Sequence, residues 1–338
     1  MQENKVYTDE LRRIAWGTDA GEYRLIPKKV VRAASEADVT QTLAEASRSG
    51  IGVTFRAAGT SLSGQAITEG ILLVAGKNWE IYADWNPWHG CTKISPGCKY
   101  CYVYRQDEMY GSEISSSECR KTGNFYLPIK RKRDRSWKIE SGKVVFTSFT
   151  SDFLLRDADP WRPECWEMMK RRSDLWFYFF TKRIDRFMEC VPEDWGDGYD
   201  NVIVGCTVEN QAMADYRLPI FRSLPIKHKS IIASPLITAM DLTPYLDETI
   251  EEVSVGGESG VDARPCDYDW VLSLREQCIA RDIPFRFHQT GAHFIKDGKM
   301  YYVRRCYQLS QAHKANIDYK IGRYLVPETV KFEWKSSE

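Results

Sequence analysis

Residues Trp85–Tyr102 read WNPWHGCTKISPGCKYCY, and Cys91, Cys98 and Cys101 stand in it at a C-x6-C-x2-C spacing, three thiols within eleven residues. Thiolates at this spacing can converge on one soft metal centre. Three protein thiolates leave one iron of a cubane iron–sulfur cluster open to a substrate or cofactor. Ser95, Pro96 and Gly97 are turn formers and predict a loop that wraps a centre rather than a helix. Two other readings stand beside the cluster. One is a zinc site completed by His89, although structural zinc sites usually pair two short knuckles and one is visible here. The other is a set of buried thiols with no shared ligand.

Outward from this loop, short apolar runs alternate with helical stretches. The runs are Val144–Phe149, Trp176–Thr181, Asn201–Val208, Ser230–Ser234, Glu252–Gly256 and Pro284–His288. Helical patterns at Trp161–Arg172, Ile184–Cys190, Gln211–Leu224, Leu242–Leu246 and Tyr268–Ala280 lie between them, and Lys296–Tyr324 reads as a terminal hairpin and tail. Continuous apolar strands separated by amphipathic helices predict a parallel sheet with crossover helices. With a strand before Cys91 the tally is six or seven βα units. That predicts an α/β fold, a full or partial TIM-type (βα)6-7 barrel, with its site at the C-terminal ends of the strands. Polar residues gather at those ends: Ser148, Thr150, Ser151 and Asp152; Thr181, Lys182 and Arg183; Thr207, Glu209 and Asn210; Ser234; Gly256, Gly257, Glu258 and Ser259; His288, Gln289 and Thr290. Each alone fits a strand-end turn or helix cap as well as a site. Lys182 and Arg183 are candidates for holding an anionic ligand.

The string W-N-P-x-x-G-C-T-K-x-S-P-G-C-x-x-C-Y is similar to the phage-associated three-Cys-motif family, a radical-SAM-like group of unassigned function, from about Asn78 to the 320s. The half holding Cys98, Tyr100 and Cys101 resembles the radical S-adenosylmethionine (SAM) motif, whose first two cysteines usually stand closer together. The resemblance implies a partial barrel, a 4Fe–4S cluster on Cys91, Cys98 and Cys101, SAM at the open iron and an external electron donor. In such proteins Gly-rich strand ends and acidic groups position SAM. By position, that role falls to Ser148, Asp152, Thr207, Glu209, Gly256, Gly257 and Glu258. The substrate stays open between a nucleic acid, a modified base and a partner protein. Lys130–Arg135, KRKRDR, is the one basic cluster. It reads either as a phosphate-contacting segment or as a solvated loop.

Residues 1–76 have a character of their own. A short helix is predicted at Tyr7–Trp16, strands at Val30–Val31, Gly52–Phe55 and Ile71–Val74, and a helix from an N-cap at Ser35 to about Arg48, ended by Gly50. Arg56–Gln65, RAAGTSLSGQ, is a small-residue loop whose backbone N–H groups can hold phosphate oxygens. TDA…P-x-x-V-V-R-A-A-S-E-A-D-V…G-I-G-V-T-F-R-A-A-G-T-S-L-S-G-Q closely resembles the start of the FAD-linked oxidase family, which includes the glycolate and D-lactate dehydrogenases. The resemblance places FAD on Arg56, Gly59, Thr60, Ser61, Ser63, Gly64 and Gln65. It covers only about 70 residues, and the rest of the family's flavin pocket is absent. The expectation is therefore an α+β fragment of an FAD-binding domain, 1–76, that binds FAD weakly or not at all, fused to a barrel domain, 77–338.

A chain of 338 residues has room for one large domain or two smaller ones. A formal net charge of zero gives no global field toward nucleic acid or an anionic membrane. No apolar run approaches a membrane span and the first residues lack a signal peptide's apolar stretch, so a cytoplasmic protein without membrane contact is expected. Ten cysteines are too few for a disulfide scaffold of this size. The leading reading is an iron–sulfur, SAM-dependent radical enzyme. Its alternatives are an FAD-binding oxidoreductase and a non-catalytic zinc-bearing nucleic-acid-binding module.

Overall fold

Apolar runs bounded by turn formers become strands throughout the computed structural model, which describes residues 5–18, 24–33, 36–56, 66–75, 82–111 and 115–320. The chain divides into two compact units, Met1–Ile81 and Tyr82–Glu338. In the first, β1 (Lys5–Tyr7), α1 (Glu10–Ala15), β2 (Lys29–Ala33), α2 (Glu36–Ser49), β3 (Val53–Arg56) and β4 (Ile71–Ala75) follow in order. Asp9 caps α1 by accepting from the Arg12 N–H at 3.1 Å, so this helix is shorter than Tyr7–Trp16 and β1 takes Tyr7. Beyond α2, Gly50 sits at φ +62°, a conformation that favours glycine. The sheet runs β1-β2-β4-β3, with β1 antiparallel and the other pairs parallel. Val30, Leu72 and Val74 pack on one of its faces, and Val31, Ala46 and Ile71 on the other. This mixed α/β fragment fits the start of an FAD-binding domain. Ser35 and the loop residues Gly59, Thr60, Ser61, Ser63, Gly64 and Gln65 lie outside the described residues.

The second unit opens with β5 (Tyr82–Trp85), β6 (Trp88–His89), α3 (Tyr102–Met109) and β7 (Arg120–Lys121). It continues through β8 (Val144–Thr147), α4 (Arg162–Arg171), β9 (Trp176–Thr181), α5 (Phe187–Cys190), β10 (Val202–Thr207), α6 (Gln211–Ser223) and β11 (His228–Ala233). It ends with β12 (Ile250–Gly256), β13 (Cys266–Asp267), α7 (Tyr268–Ala280), β14 (Phe285–Gln289), the hairpin β15 (His293–Lys296) and β16 (Lys299–Tyr302), and α8 (Gln308–Ala315). Seven strands form one sheet in the order β5-β8-β9-β10-β11-β12-β14, every neighbouring pair parallel. Because the order never reverses, right-handed crossovers put the helices on one face. The sheet curls into a half-barrel and leaves a concave face opposite.

A full TIM barrel, one of the two forms expected, is not formed. Closure takes eight strands. Among the described residues β14 and β5 do not pair, and the outer edge of β14 is occupied by Tyr319, which exchanges two backbone hydrogen bonds with Phe285 at 2.8 and 2.9 Å.

Alternation along the strands separates the faces. Val145, Phe177, Phe179, Val204, Ile231, Val253, Val255, Phe285 and Phe287 enter the main core on the helix side. Burying each Phe there contributes about 2 kcal/mol. Val144, Tyr178, Ile203 and Ile232 form a second apolar cluster with Phe146 and Phe180 on the concave side. Two expected helices are slighter than predicted. Ile184–Cys190 is a 3-10 turn followed by the four-residue α5, and Leu242–Leu246 is only the 3-10 turn Thr243–Tyr245, where Pro244 withholds a backbone donor. Among the described residues no helix is long and apolar enough to cross a membrane.

Candidate functional site

A cavity of about 550 Å³ opens at the C-terminal ends of the strands, and Cys91, Cys98 and Cys101 all line it. After β6 the backbone turns at Gly90, φ +95°, where a Cβ would meet the Glu118 carbonyl oxygen at 2.2 Å. The loop closes with a 3-10 turn, Pro96–Cys98, and Cys101 stands at the N-cap of α3.

The polar strand ends grip this loop. Asp152, 5% exposed, has both carboxylate oxygens engaged: Oδ1 by the Leu154 N–H (2.9 Å) and Thr181 Oγ1 (2.8 Å), Oδ2 by the Lys182 N–H and Arg183 Nη1 (both 3.0 Å). Arg183 in turn donates to the Thr92 carbonyl (2.7 Å) and hydroxyl (2.9 Å) and lies 3.7 Å from Cys91 Sγ. Glu209, fully buried, accepts the Gly97 N–H at 3.0 Å and pairs with Arg217 at 2.8 Å. A Cβ on Gly97 would meet Glu209 Cδ at 2.9 Å, so the loop must be glycine here to sit down on the carboxylate. Glu258 pairs with Arg264 at 2.7 Å, and Arg264 Nη1 donates to the Pro96 carbonyl at 2.9 Å. Arg105 on α3 donates to the Ser259 carbonyl, Tyr102 to that of Phe149 and Tyr104 to that of Cys91. A Cβ on Gly257 would strike the Thr290 carbonyl oxygen at 2.3 Å, and one on Gly256 would strike His288 Nε2 at 2.4 Å.

Of the residues the sequence offered, Ser148, Ser151, Asp152, Lys182, Arg183, Thr207, Ser234, Gly257, Glu258, Ser259, His288 and Gln289 line the cavity with the cysteines, whereas Glu209 and Gly256 do not. The carboxylates of Asp152, Glu209 and Glu258 are taken by protein partners. Ser148 sits at φ +63° with its Oγ buried and unpartnered, an orphan at the cavity. Arg56, the described member of the flavin loop, donates to the Trp16 and Thr18 carbonyls at 3.2 and 2.6 Å. The basic cluster does not line the cavity: Lys132 pairs with Glu140 at 3.0 Å and Arg131 lies 3.5 Å over the Trp137 ring.

The thiols differ in their electrostatics. Burial pushes Cys91 up to about 12, with Asp152 adding to the rise and Arg183 opposing it. Cys98 moves down: burial opposes ionisation, but Lys182 and hydrogen bonds from the Ile94 and Ser95 backbone and the Ser95 hydroxyl outweigh it. Burial raises Cys206, Cys266 and Cys278 to about 12. Among the described residues no three His, Cys, Asp or Glu side chains are grouped as one metal ion would need. His89 faces Asp107 at 2.8 Å rather than completing a zinc set with the cysteines. A single zinc draws its thiolates to about 2.3 Å from one centre. A cubane binds each to a different iron and spreads them wider.

Strand interiors supply groups that the sequence reading passed over. Glu252 and Ser254 on β12 and Arg286 on β14 line the concave side of the cavity, beside His288, which the strand-end reading already included. The His288 ring lies 3.1 Å from Ser254 Oγ, and burial, with Arg286 and Arg305, brings it down to about 4, so it is neutral at pH 7. The signal was present in sequence as a polar–apolar alternation, E-V-S-V-G and F-R-F-H, inside runs read as uniformly apolar.

A family model described as a protein of unknown function (DUF5131) matches residues 78–325, most of the chain. The chain belongs to the DUF5131 family. A second model, an FAD binding domain, matches residues 27–114 and so overlaps the DUF5131 match across the cysteine loop. No curated protein and no solved structure matches. In DUF5131 terms, both the cysteine loop and the strand ends that hold it fall inside the matched region.

Proposed function

We propose that this DUF5131 chain is an iron–sulfur enzyme of the radical SAM type. The observation that carries the reading is that Cys91, Cys98 and Cys101 line one wall of one cavity at the C-terminal mouth of a parallel half-barrel. The donor set suits a cluster, being three soft thiols without a fourth protein ligand. The orphan Ser148 Oγ suits a bound small molecule beside it. Cys91, Cys98 and Cys101 would hold the cluster, which when bound supplies one-electron reduction of SAM and through it hydrogen-atom abstraction from a substrate.

The chain's own residues bind and orient. Asp152, Glu209 and Glu258 act through Arg183, the Gly97 N–H and Arg264 to fix the loop that carries the thiols. Ser148, Thr207 and Lys182 are left lining the cavity, with side chains that make no hydrogen bond to a described residue. The Lys182 ammonium is the natural partner for the SAM carboxylate. An external electron donor is required, and a partner protein or nucleic acid would present the substrate. A second reading, an FAD-dependent oxidoreductase working through the first unit, draws on the match to an FAD binding domain.

Anaerobic reconstitution tests the proposal. About four irons and four sulfides per chain are expected, and SAM should perturb the spectrum of the reduced cluster. Cys91→Ala, Cys98→Ala or Cys101→Ala should each remove most of the iron, while Cys165→Ala and Cys278→Ala, both buried away from the cavity, should not. Stoichiometric zinc in the isolated protein, together with a spectrum indifferent to SAM, would refute the reading.

A further inference from the structure

The concave wall formed by β12 and β14 has groups that nothing above uses. Glu252 is 5% exposed, lines the cavity and makes no hydrogen bond or ion pair with any described residue. Burying a carboxyl in that condition favours its taking up either a proton or a ligand's donors. Arg286, two positions before His288 on the neighbouring strand, lines the same cavity and is half-buried; its charge acts on Glu252, but it makes no hydrogen bond or ion pair with Glu252 or any other described residue. Strand alternation puts both on the concave face, because Val253, Val255, Phe285 and Phe287 turn into the helix-side core. On the other arm of the curl, Phe146, Phe149, Tyr178 and Phe180 make an aromatic surface lining the same cavity. Their ring centroids lie 4.6 Å apart for Tyr178 and Phe180, and 5.3 Å apart for Phe149 and Phe180.

A carboxylate with both oxygens free accepts two parallel N–H donors. A free guanidinium donates to adjacent acceptors, and rings stack on a flat π-system. Guanine is the common base whose edge presents two neighbouring donors, N1–H and N2–H, beside the O6 and N7 acceptors that an arginine reads; adenine and cytosine offer a carboxylate only one amino group. From this juxtaposition we propose that the cavity takes a guanine base, with Glu252 on N1–H and N2–H, Arg286 on O6 and N7, and the ring against the Phe146–Phe180 surface. This deepens the reading above by naming a substrate class, but the binding itself requires neither cluster nor SAM.

The test is equilibrium dialysis of the full chain, purified anaerobically, against guanosine, adenosine and cytidine, and against the single strands TTGTT and TTATT. A preference for guanine of about tenfold or more is expected. Seen with the nucleosides, it identifies a free base as the source; seen only in the strands, a base splayed from single-stranded DNA. Glu252→Gln should lose about tenfold in guanine affinity while melting no lower than wild type, since the carboxyl makes no hydrogen bond or ion pair that the amide would break. Equal binding of all bases, no saturable binding, or full affinity in Glu252→Gln overturns the proposal. Guanine preference in protein that cannot be loaded with iron sustains it and overturns the cluster reading instead.

Discussion

Replacing Glu209 by Ala tests the clamp on the cysteine loop. Its carboxylate and the Arg217 side chain are 0% and 2% exposed, so the substitution strands a cation in the core. Arg217 would retain the Thr207 carbonyl at 2.8 Å, yet its Nε is already buried without a partner. Breaking one side of a buried pair costs about 3–5 kcal/mol. For a unit of this size each kcal/mol lowers the melting temperature by about 2–4 °C, so Glu209→Ala should melt roughly 6–20 °C lower. The double variant Glu209→Leu/Arg217→Met removes both charges and should recover most of that loss, because apolar replacement of a buried pair is close to neutral. It should still bind iron poorly, since the Gly97 N–H keeps no acceptor. Thermal melts by circular dichroism and iron analysis on the three proteins measure both effects. A Glu209→Ala melt within about 1 kcal/mol of wild type would mean that the pair does not hold the unit together. Normal iron in the double variant would mean that the carboxylate does not position the loop.

Two further outcomes are expected. Burial lifts the Glu252 carboxyl from 4.5 to about 7, against the opposing pull of Arg286 and with Asp318 adding to the rise. The folded state therefore holds a proton that the unfolded chain has released, so stability falls as pH rises from the ordinary glutamate range through about 7, by at most about 3 kcal/mol. Urea unfolding at about pH 5 and about pH 8 should show that slope in wild type and a flatter one in Glu252→Gln; identical slopes would refute the assignment. FAD titrated into the full chain should bind weakly or not at all, because a phosphate loop supplies only part of a dinucleotide site; stoichiometric, tight binding would move the weight to the oxidoreductase reading.

The strands were legible because parallel strands buried on both faces read as continuous apolar runs: WFYFFT became β9 and the apolar run NVIVGCTV contains β10. The openness of the sheet was not, because it depends on where Tyr319 docks, and nothing in that residue's surroundings in sequence says it will pair with Phe285. The cysteine spacing marked the loop. The roles of Asp152, Glu209 and Glu258 were hidden for the opposite reason: a carboxylate at a strand end looks the same whether it awaits a ligand or an arginine from a later turn. Glu252 and Arg286 were missed because position in a strand interior suggested core, and only the direction of the side chain tells which face it serves.

The clamps on the cysteine loop are far away along the chain: Thr92 to Arg183 spans 91 residues, Gly97 to Glu209 spans 112 and Pro96 to Arg264 spans 168. A chain made from its N-terminus at about 5–20 residues per second therefore exposes its three thiols many seconds before the arginines and glutamate that fix them exist. Each long span must also be closed against loop entropy before the loop takes its final shape. The thiols are made early and placed last, so the interval between the two is when oxidation or capture by the wrong metal threatens them, and the sheet's C-terminal strands are what end it.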